Sequence, residues 1–243
     1  MTYKELSDSM DVLSNRYAAM KDTALIPFDE YEKSLFITLS ASGIVKEMLP
    51  FYDRNEKIKK QLISITRSAQ VGTIAAISND LKLRSDSIVY ELPSDVLYVV
   101  AESLRSASNV ILSRIKPLKD DEAYYTFDNP FRSSKRGYAW RNGISIDTGG
   151  IVKKYSEIIT SILPSALPKY FLKYICNVPV FVVTDNLEDA SINGISVNAN
   201  LNTEAPLSIL HEKILDRAII IGYMSKTDDP NSKVSALGLS KDS

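Results

Sequence analysis

Apolar residues recur at helical spacing near both ends of this 243-residue chain and in short β-branched runs through its middle. That segregation constrains the fold more than any single motif. Thr2 and Glu5 form a T-x-x-E capping box, in which each side chain can satisfy an orphan amide at a helix start. Leu6, Met10, Leu13, Tyr17 and Met20 follow as one apolar stripe. A second helix is expected from Asp29, with Glu30 and Glu32 in its favourable first turn; Tyr31, Leu35, Leu39 and Met48 form its stripe, and Pro50 closes it. The basic segment from Asp53 to Gln70 reads as a short amphipathic helix or a helix followed by a strand.

The middle changes character. Ser87–Pro93, Val96–Val100 and Asn109–Ile115 are β-branched and aromatic, as strands are. A short helix is possible over Asp120–Phe127, and Phe131–Arg141 is basic and turn-rich. Gly149-Gly150 reads as a turn, since Ile151 and Val152 follow it where a phosphate loop needs Lys and Ser or Thr. Tyr155–Ile162 and Lys169–Cys176 could pair as a hairpin, and Val178–Val183 would be an edge strand because Pro179 cannot donate to a ladder. Asn193-Gly194 is a turn signal. Pro206 suits a first helical turn, and Leu207, Leu210, Ile214, Ala218 and Ile221 repeat behind it; Ile209, Leu215, Ile219 and Ile220 widen that apolar face.

Runs of one kind followed by runs of another read as α+β. The expected fold has helical amino-terminal and carboxy-terminal elements enclosing a β-rich insertion with long loops. Helices are expected at about 2–22, 29–49, 54–69 and 206–224, with the insertion at about 87–197. Residues 1–225 are treated as one domain, and 226–243 as a polar tail or extended arm.

The rare reactive residues narrow the chemistry. The chain holds one histidine, His211, and one cysteine, Cys176. One cysteine cannot close an intrachain disulfide, and a small metal cage usually needs several Cys and His. His211-Glu212 lacks the second histidine of a zinc helix, because position 215 is Leu. A nucleophile elbow and a phosphate loop are both missing. His211 reads as a polar residue at the start of a packed helix before it reads as a general base. Cys176 likewise reads as a small buried hydrophobe before a nucleophile. The expectation is a non-enzyme with no catalytic, cofactor or metal site and no small-molecule substrate. Met1–Glu5 shows no apolar signal region, and the longest apolar runs fall far below a membrane span, so a soluble protein of a reducing compartment is expected.

Charge is balanced, with 29 Lys and Arg against 30 Asp and Glu. A domain built to neutralise many phosphates would show a basic excess. Arg132, Lys135, Arg136 and Arg141 nevertheless cluster without an acid, near Tyr138 and Trp140. They can touch nucleic acid, pair with a neighbouring subunit, or face solvent. Asp120-Asp121-Glu122 and Asp228-Asp229 are the dense acid runs, and each reads as a helix start or a turn.

Several stretches also carry a family resemblance. Asp29–Thr38 with Ile44–Glu47, Glu91–Tyr98, Asn129–Arg132, Lys173–Val183, Ser191–Ser196 and Leu210–Ala218 occur in the order seen in the neck and tail ring proteins of crAss-like tailed bacteriophages. The sequence resembles that family across residues 2–225, with a departure at Leu201–Leu207, where a short acidic strand is expected. The resemblance implies an adaptor-like structural protein of the virion, assembled in the bacterial host cytoplasm. It implies a self-assembled ring of about twelve copies, closed by heterologous contacts and matched to the portal. The ring would dock the portal and adjacent ring or tail proteins and give transient passage to duplex DNA, with no membrane role. Phe131, Arg132, Lys135, Arg136, Trp140, Arg141, His211, Arg217 and Tyr223 would be its subunit or neighbouring-ring contacts. The alternatives are a nucleic-acid-binding or metal-dependent phage protein using loop 131–141, or a capsid accessory or cargo protein.

Overall fold

A computed structural model describes residues 1–21, 27–71, 77–85, 87–118, 138–160, 168–183, 191–192, 195–196 and 203–226. The chain divides into two compact units, one formed by 1–65 with 178–243 and the other by 66–177. Helical ends around a β-rich region make the protein α+β, as the segregated patterns predict.

The terminal unit holds α1 (Tyr3–Lys21), α2 (Glu30–Met48), α3 (Glu56–Gln61) and α4 (His211–Lys226). The predicted capping box opens α1: the Thr2 amide donates to Glu5 Oε2 at 2.8 Å, and the Glu5 amide to Thr2 Oγ1 at 3.2 Å. Its buried face keeps Leu6 and Met10 of the predicted stripe and then departs from it. Leu6, Met10, Ser14 and Ala18 are buried in steps of four, whereas Met20 is 77% exposed. Small residues occupy the later turns because the Tyr223 ring of α4 lies there; its hydroxyl donates to the Ser14 carbonyl at 3.1 Å.

A second capping box starts α2, from Asp29 and Glu32. Here too the stripe shifts: Tyr31 and Leu39 are exposed, while Ser34, Ile37, Thr38, Ala41, Ile44, Val45 and Met48 are buried. The reason is polar. The Phe181 amide donates to Thr38 Oγ1 at 3.0 Å, and the Val183 amide to Ser34 Oγ at 3.2 Å. Residues 178–183, expected as an edge strand, therefore run without ladder partners along α2, whose hydroxyls replace the partners of two amides.

The expected helix 54–69 ends at Gln61, and Thr66–Val71 is a strand, so the helix-plus-strand alternative holds. The last helix begins at His211 and not at Pro206, because Leu207 adopts a left-handed backbone (φ 61°) and is followed by a 3-10 turn over Ser208–Leu210. Leu207, Leu210, Ile214, Ala218, Leu215 and Ile219 are buried as predicted, but Ile209 and Ile220 are exposed. Ser191–Ile192 pairs with Ile195–Ser196 as a two-stranded ribbon, and the turn expected at Asn193-Gly194 lies outside the described residues. The expected tail beyond Lys226 and the helix over 120–127 also lie outside them.

The inserted unit is a seven-stranded sheet. Its strands are β1 (Thr66–Val71), β2 (Ile88–Glu91), β3 (Val96–Arg105), β4 (Ile111–Pro117), β5 (Tyr138–Thr148), β6 (Ile151–Ile159) and β7 (Lys169–Cys176). They lie in the order β1-β7-β3-β4-β5-β6-β2, with β4 and β5 parallel and every other neighbouring pair antiparallel. The expected hairpin of 155–162 with 169–176 does not form, because β6 pairs with β5 and β7 with β1 and β3. Gly149 and Gly150, at φ 64° and 89°, close a tight turn that pairs β5 and β6 from Thr148↔Ile151 to Trp140↔Ile159. A two-residue turn loses somewhat less chain entropy on closing than the longer loop between Ile159 and Lys169 would. The sheet curls enough for Tyr90 of β2 to stack on Tyr170 of β7, ring centres 5.0 Å apart.

Candidate functional site

The polar centre of the sheet unit is built by β3, β5, β6 and β7. The Glu102 side chain on β3 is 4% exposed; Arg141 Nε on β5 stands 3.1 Å from Glu102 Oε1. Tyr170 on β7 donates to Glu102 Oε2 at 2.7 Å and lies 3.2 Å from Ser156 Oγ on β6. Burial pushes the Glu102 carboxyl up, while Arg141 and the Tyr170 hydroxyl oppose that shift. Tyr170 is raised by burial and by the carboxylate it faces. Burial alone pushes Tyr90 up to about 12. One residue beyond Ser156, Glu157 is fully buried and accepts four hydrogen bonds, from the Leu83 and Arg84 amides (3.0 and 3.1 Å), Ser87 Oγ (2.6 Å) and Asn142 Nδ2 (2.8 Å). Its burial works to raise the pKa, but those four donors outweigh it and the net shift is downward. Networks whose members satisfy one another fix register and strand order. The carboxylates of Glu102 and Glu157 are engaged with protein donors.

The sequence-predicted residues separate under this geometry. Trp140 and Arg141, expected in a loop, lie on β5, which begins at Tyr138. Arg141 serves the internal pair with Glu102 and is not a loop cation. Phe131, Arg132, Lys135 and Arg136 lie outside the described residues. His211 is buried; its Nε2 sits 2.9 Å from the Pro206 carbonyl, and burial lowers its pKa. Tyr223 is buried between Tyr17 and Phe28, with ring centres 4.8 and 5.7 Å away. Arg217 is ion-paired with Glu47 on α2 of its own chain. These three side chains hold α4 in its own unit. Cys176 is buried and burial raises its pKa, which suits the small-hydrophobe reading.

Two surface grooves, missed by motif reading, stand open among the described residues. One, of about 550 Å³, crosses β1, β7, β3 and β4 and is lined by Ser68, Arg105, Ile111, Arg114, Phe171 and Lys173 among others. Register places these on one face: Ser68↔Lys173↔Ala101 and Gln70↔Phe171↔Ser103↔Arg114 stand in rows across the strands. The Arg105 guanidinium covers the Phe171 ring at 4.0 Å. Glu102 contributes to the same wall, but its carboxylate is spent on Arg141 and Tyr170. The second groove, of about 540 Å³, runs between α1 and α4, lined by Met1, Asp8, Ser9, Val12, Leu13, Glu212, Leu215 and Asp216. Strand and helix periodicity could have located both faces, since alternate residues of β7 and every third or fourth of α1 mark them.

Among the described residues no cluster of three or more His, Cys, Asp or Glu could hold a metal ion, and no helix is long and apolar enough to cross a membrane. The dense acid runs at 120–122 and 228–229 lie outside the described residues.

Comparison with known proteins gives the family. The chain is 26% identical over 247 residues to "Ring protein 3" of Bacteroides phage crAss001, an alignment covering 96% of this chain and all of that protein. It also matches the family described as "phage tail ring protein 3/4" over residues 1–234. A match across nearly the whole length, spanning the helical ends and the sheet between them, places the chain in that family: it belongs to the phage tail ring proteins of the crAss-like phages.

Proposed function

We propose that the protein is a non-catalytic ring subunit of the head-to-tail connector. About twelve copies would form a closed ring through heterologous contacts, as matching a portal of that symmetry requires. Stacked between the portal and adjacent ring or tail proteins, the ring would be a conduit through which duplex DNA passes transiently. It would be assembled in the host cytoplasm and retained in the virion. The family match over residues 1–234 is the observation that carries this reading. The engagement of Glu102, Glu157 and His211 within the fold agrees with a part selected for shape.

The test is the mass of the purified chain, alone and mixed with its neighbouring ring proteins, followed by electron microscopy of the virion. A ring of about twelve copies located in the neck or tail is expected. A chain that stays monomeric in both preparations, or that sits in the capsid interior, overturns the reading. The nucleic-acid alternative gains ground if a salt-sensitive DNA shift is lost when Arg132, Lys135 and Arg136 are changed to Ala.

A further inference from the structure

The two grooves carry opposite charge. Among the described residues lining the α1–α4 groove, Asp8, Glu212 and Asp216 supply three carboxylates against one positive group, the Met1 ammonium, so the lining is acidic on balance. The sheet groove is lined by Arg105, Arg114 and Lys173, and the one acid among its described lining residues, Glu102, has its carboxylate buried in an internal ion pair. Arg114 and Lys173 are exposed, as are Asp8 and Asp216.

Each face also offers an apolar projection and a trough. Val12, 66% exposed, stands on the helical side, and Ile111, 55% exposed, stands on the sheet side. Apolar knobs ringed by complementary charge are the anatomy of a specific interface, where the apolar contact holds and the charges select the partner. A surface that complements a different surface of the same chain makes head-to-tail contacts, and these generate rings when the rotation closes.

We propose that the acidic α1–α4 groove of one copy docks on the basic sheet groove of the next copy. Val12 seats against Phe171 and Ile111, and Asp8, Glu212 and Asp216 face Arg105, Arg114 and Lys173. This contact rests on the ring reading above and supplies its subunit-to-subunit interface. The occupant of each groove is thus a second copy of this chain.

Two charge-reversed variants test the contact, Asp8→Lys with Asp216→Lys, and Arg114→Glu with Lys173→Glu. All four positions are exposed, so each variant should melt close to the parent. Juxtaposed like charge should raise the concentration needed for assembly at least about a hundredfold in either variant alone. Mixed in equal amounts, the two variants should assemble again, because each supplies the charge the other now requires. The milder pair Asp8→Asn with Asp216→Asn should shift assembly in the same direction by a smaller factor, and covers the case in which a reversal unfolds the chain. If the parent forms rings and either reversed variant assembles at the parent's concentration, the contact is wrong and the ring reading stands. Failure of the mixture to assemble, with both variants folded, also rejects the contact. If the parent stays monomeric even with its neighbouring ring proteins, the ring reading falls and takes the contact with it.

Discussion

Gly222 lies directly against the ring of Phe28: a Cβ built on this glycine would stand 2.7 Å from Phe28 Cζ and 3.1 Å from Phe36 Cδ2. Phe28 is itself set edge-on to Phe36 and Tyr223, with centroids 5.6 and 5.7 Å away. The glycine on α4 is what allows that aromatic group to close.

Gly222→Ala should therefore destabilise the protein although alanine favours helix by about 1 kcal/mol. Overpacking against two rings costs about 1–3 kcal/mol, which outweighs the propensity gain at most of that range. Gly43→Ala is the control. Its Cβ would meet only the Arg217 guanidinium, at 3.1 Å, the far end of a flexible side chain. Displacing an ion pair with the half-exposed Glu47 costs about 0–1 kcal/mol, so Gly43→Ala should be neutral or slightly stabilising. Denaturant unfolding of the two variants checks the difference in sign.

Thr38→Val should release the segment that α2 holds. It removes the acceptor of the buried Phe181 amide, for a cost of about 1–3 kcal/mol. Combined with Ser34→Ala, it should speed hydrogen exchange at the Phe181 and Val183 amides well beyond that at the α1 amides. Unchanged exchange at those two amides would mean that the hydroxyls are not their anchors.

Acid should weaken the protein through Glu157. Its folded pKa lies below its unfolded value, so its stabilisation is full above the unfolded pKa and is lost as pH falls through the folded one. Glu157→Gln should destabilise by about 2 kcal/mol or more at neutral pH, because charge-assisted bonds become neutral and one acceptor becomes a donor facing donors. The variant should also show a flatter acid limb in a plot of stability against pH.

Tyr170→Phe should raise the Glu102 pKa further. The hydroxyl supports the ionised carboxylate, and its loss leaves Arg141 as the group opposing burial. Glu102 is already shifted upward, so its protonation favours the folded state: this contribution grows as pH falls and opposes that of Glu157. A carboxyl titration followed by NMR in the variant should move upward relative to the parent. The stability loss should be about 1.5–3 kcal/mol, the range for a lost hydrogen bond to a charged group.

Local sequence signals reported well on where elements begin. The box at Thr2 caps α1, α2 follows the start expected at Asp29, the Gly149-Gly150 turn joins β5 to β6, and the runs at 88, 96 and 111 became strands. They reported poorly on which side of an element is buried. On α2, Tyr31 and Leu39 look like core, yet the buried face includes Ser34 and Thr38, because a partnerless stretch of backbone needs hydroxyls beside it. Spacing counts apolar residues and cannot see an amide arriving from about 140 positions away. Strand pairing failed in the same way for β6 and β7, where adjacency in sequence suggested a hairpin and the curled sheet set them apart. Of the expected contact residues, Tyr223 packs on Tyr17 and Phe28 of its own unit, a role that a tyrosine at a helix end takes as readily as a surface one and that spacing does not distinguish. Arg141 was misplaced because its acid partner, Glu102, sits on a strand that the local composition around 131–141 does not reveal.

The sheet unit begins on β1 and ends on β7, and these two strands are paired, with Thr66 opposite Ile175. The polypeptide thus arrives and departs about one strand spacing apart, roughly 5 Å. Such neighbouring ends are the condition under which a module can be spliced into a host chain, or exchanged for another, without dragging the host's own ends apart. An ancestral gene could have acquired, lost or replaced the whole stretch between Thr66 and Asn177 as a cassette, leaving the helical frame to fold around a short bridge.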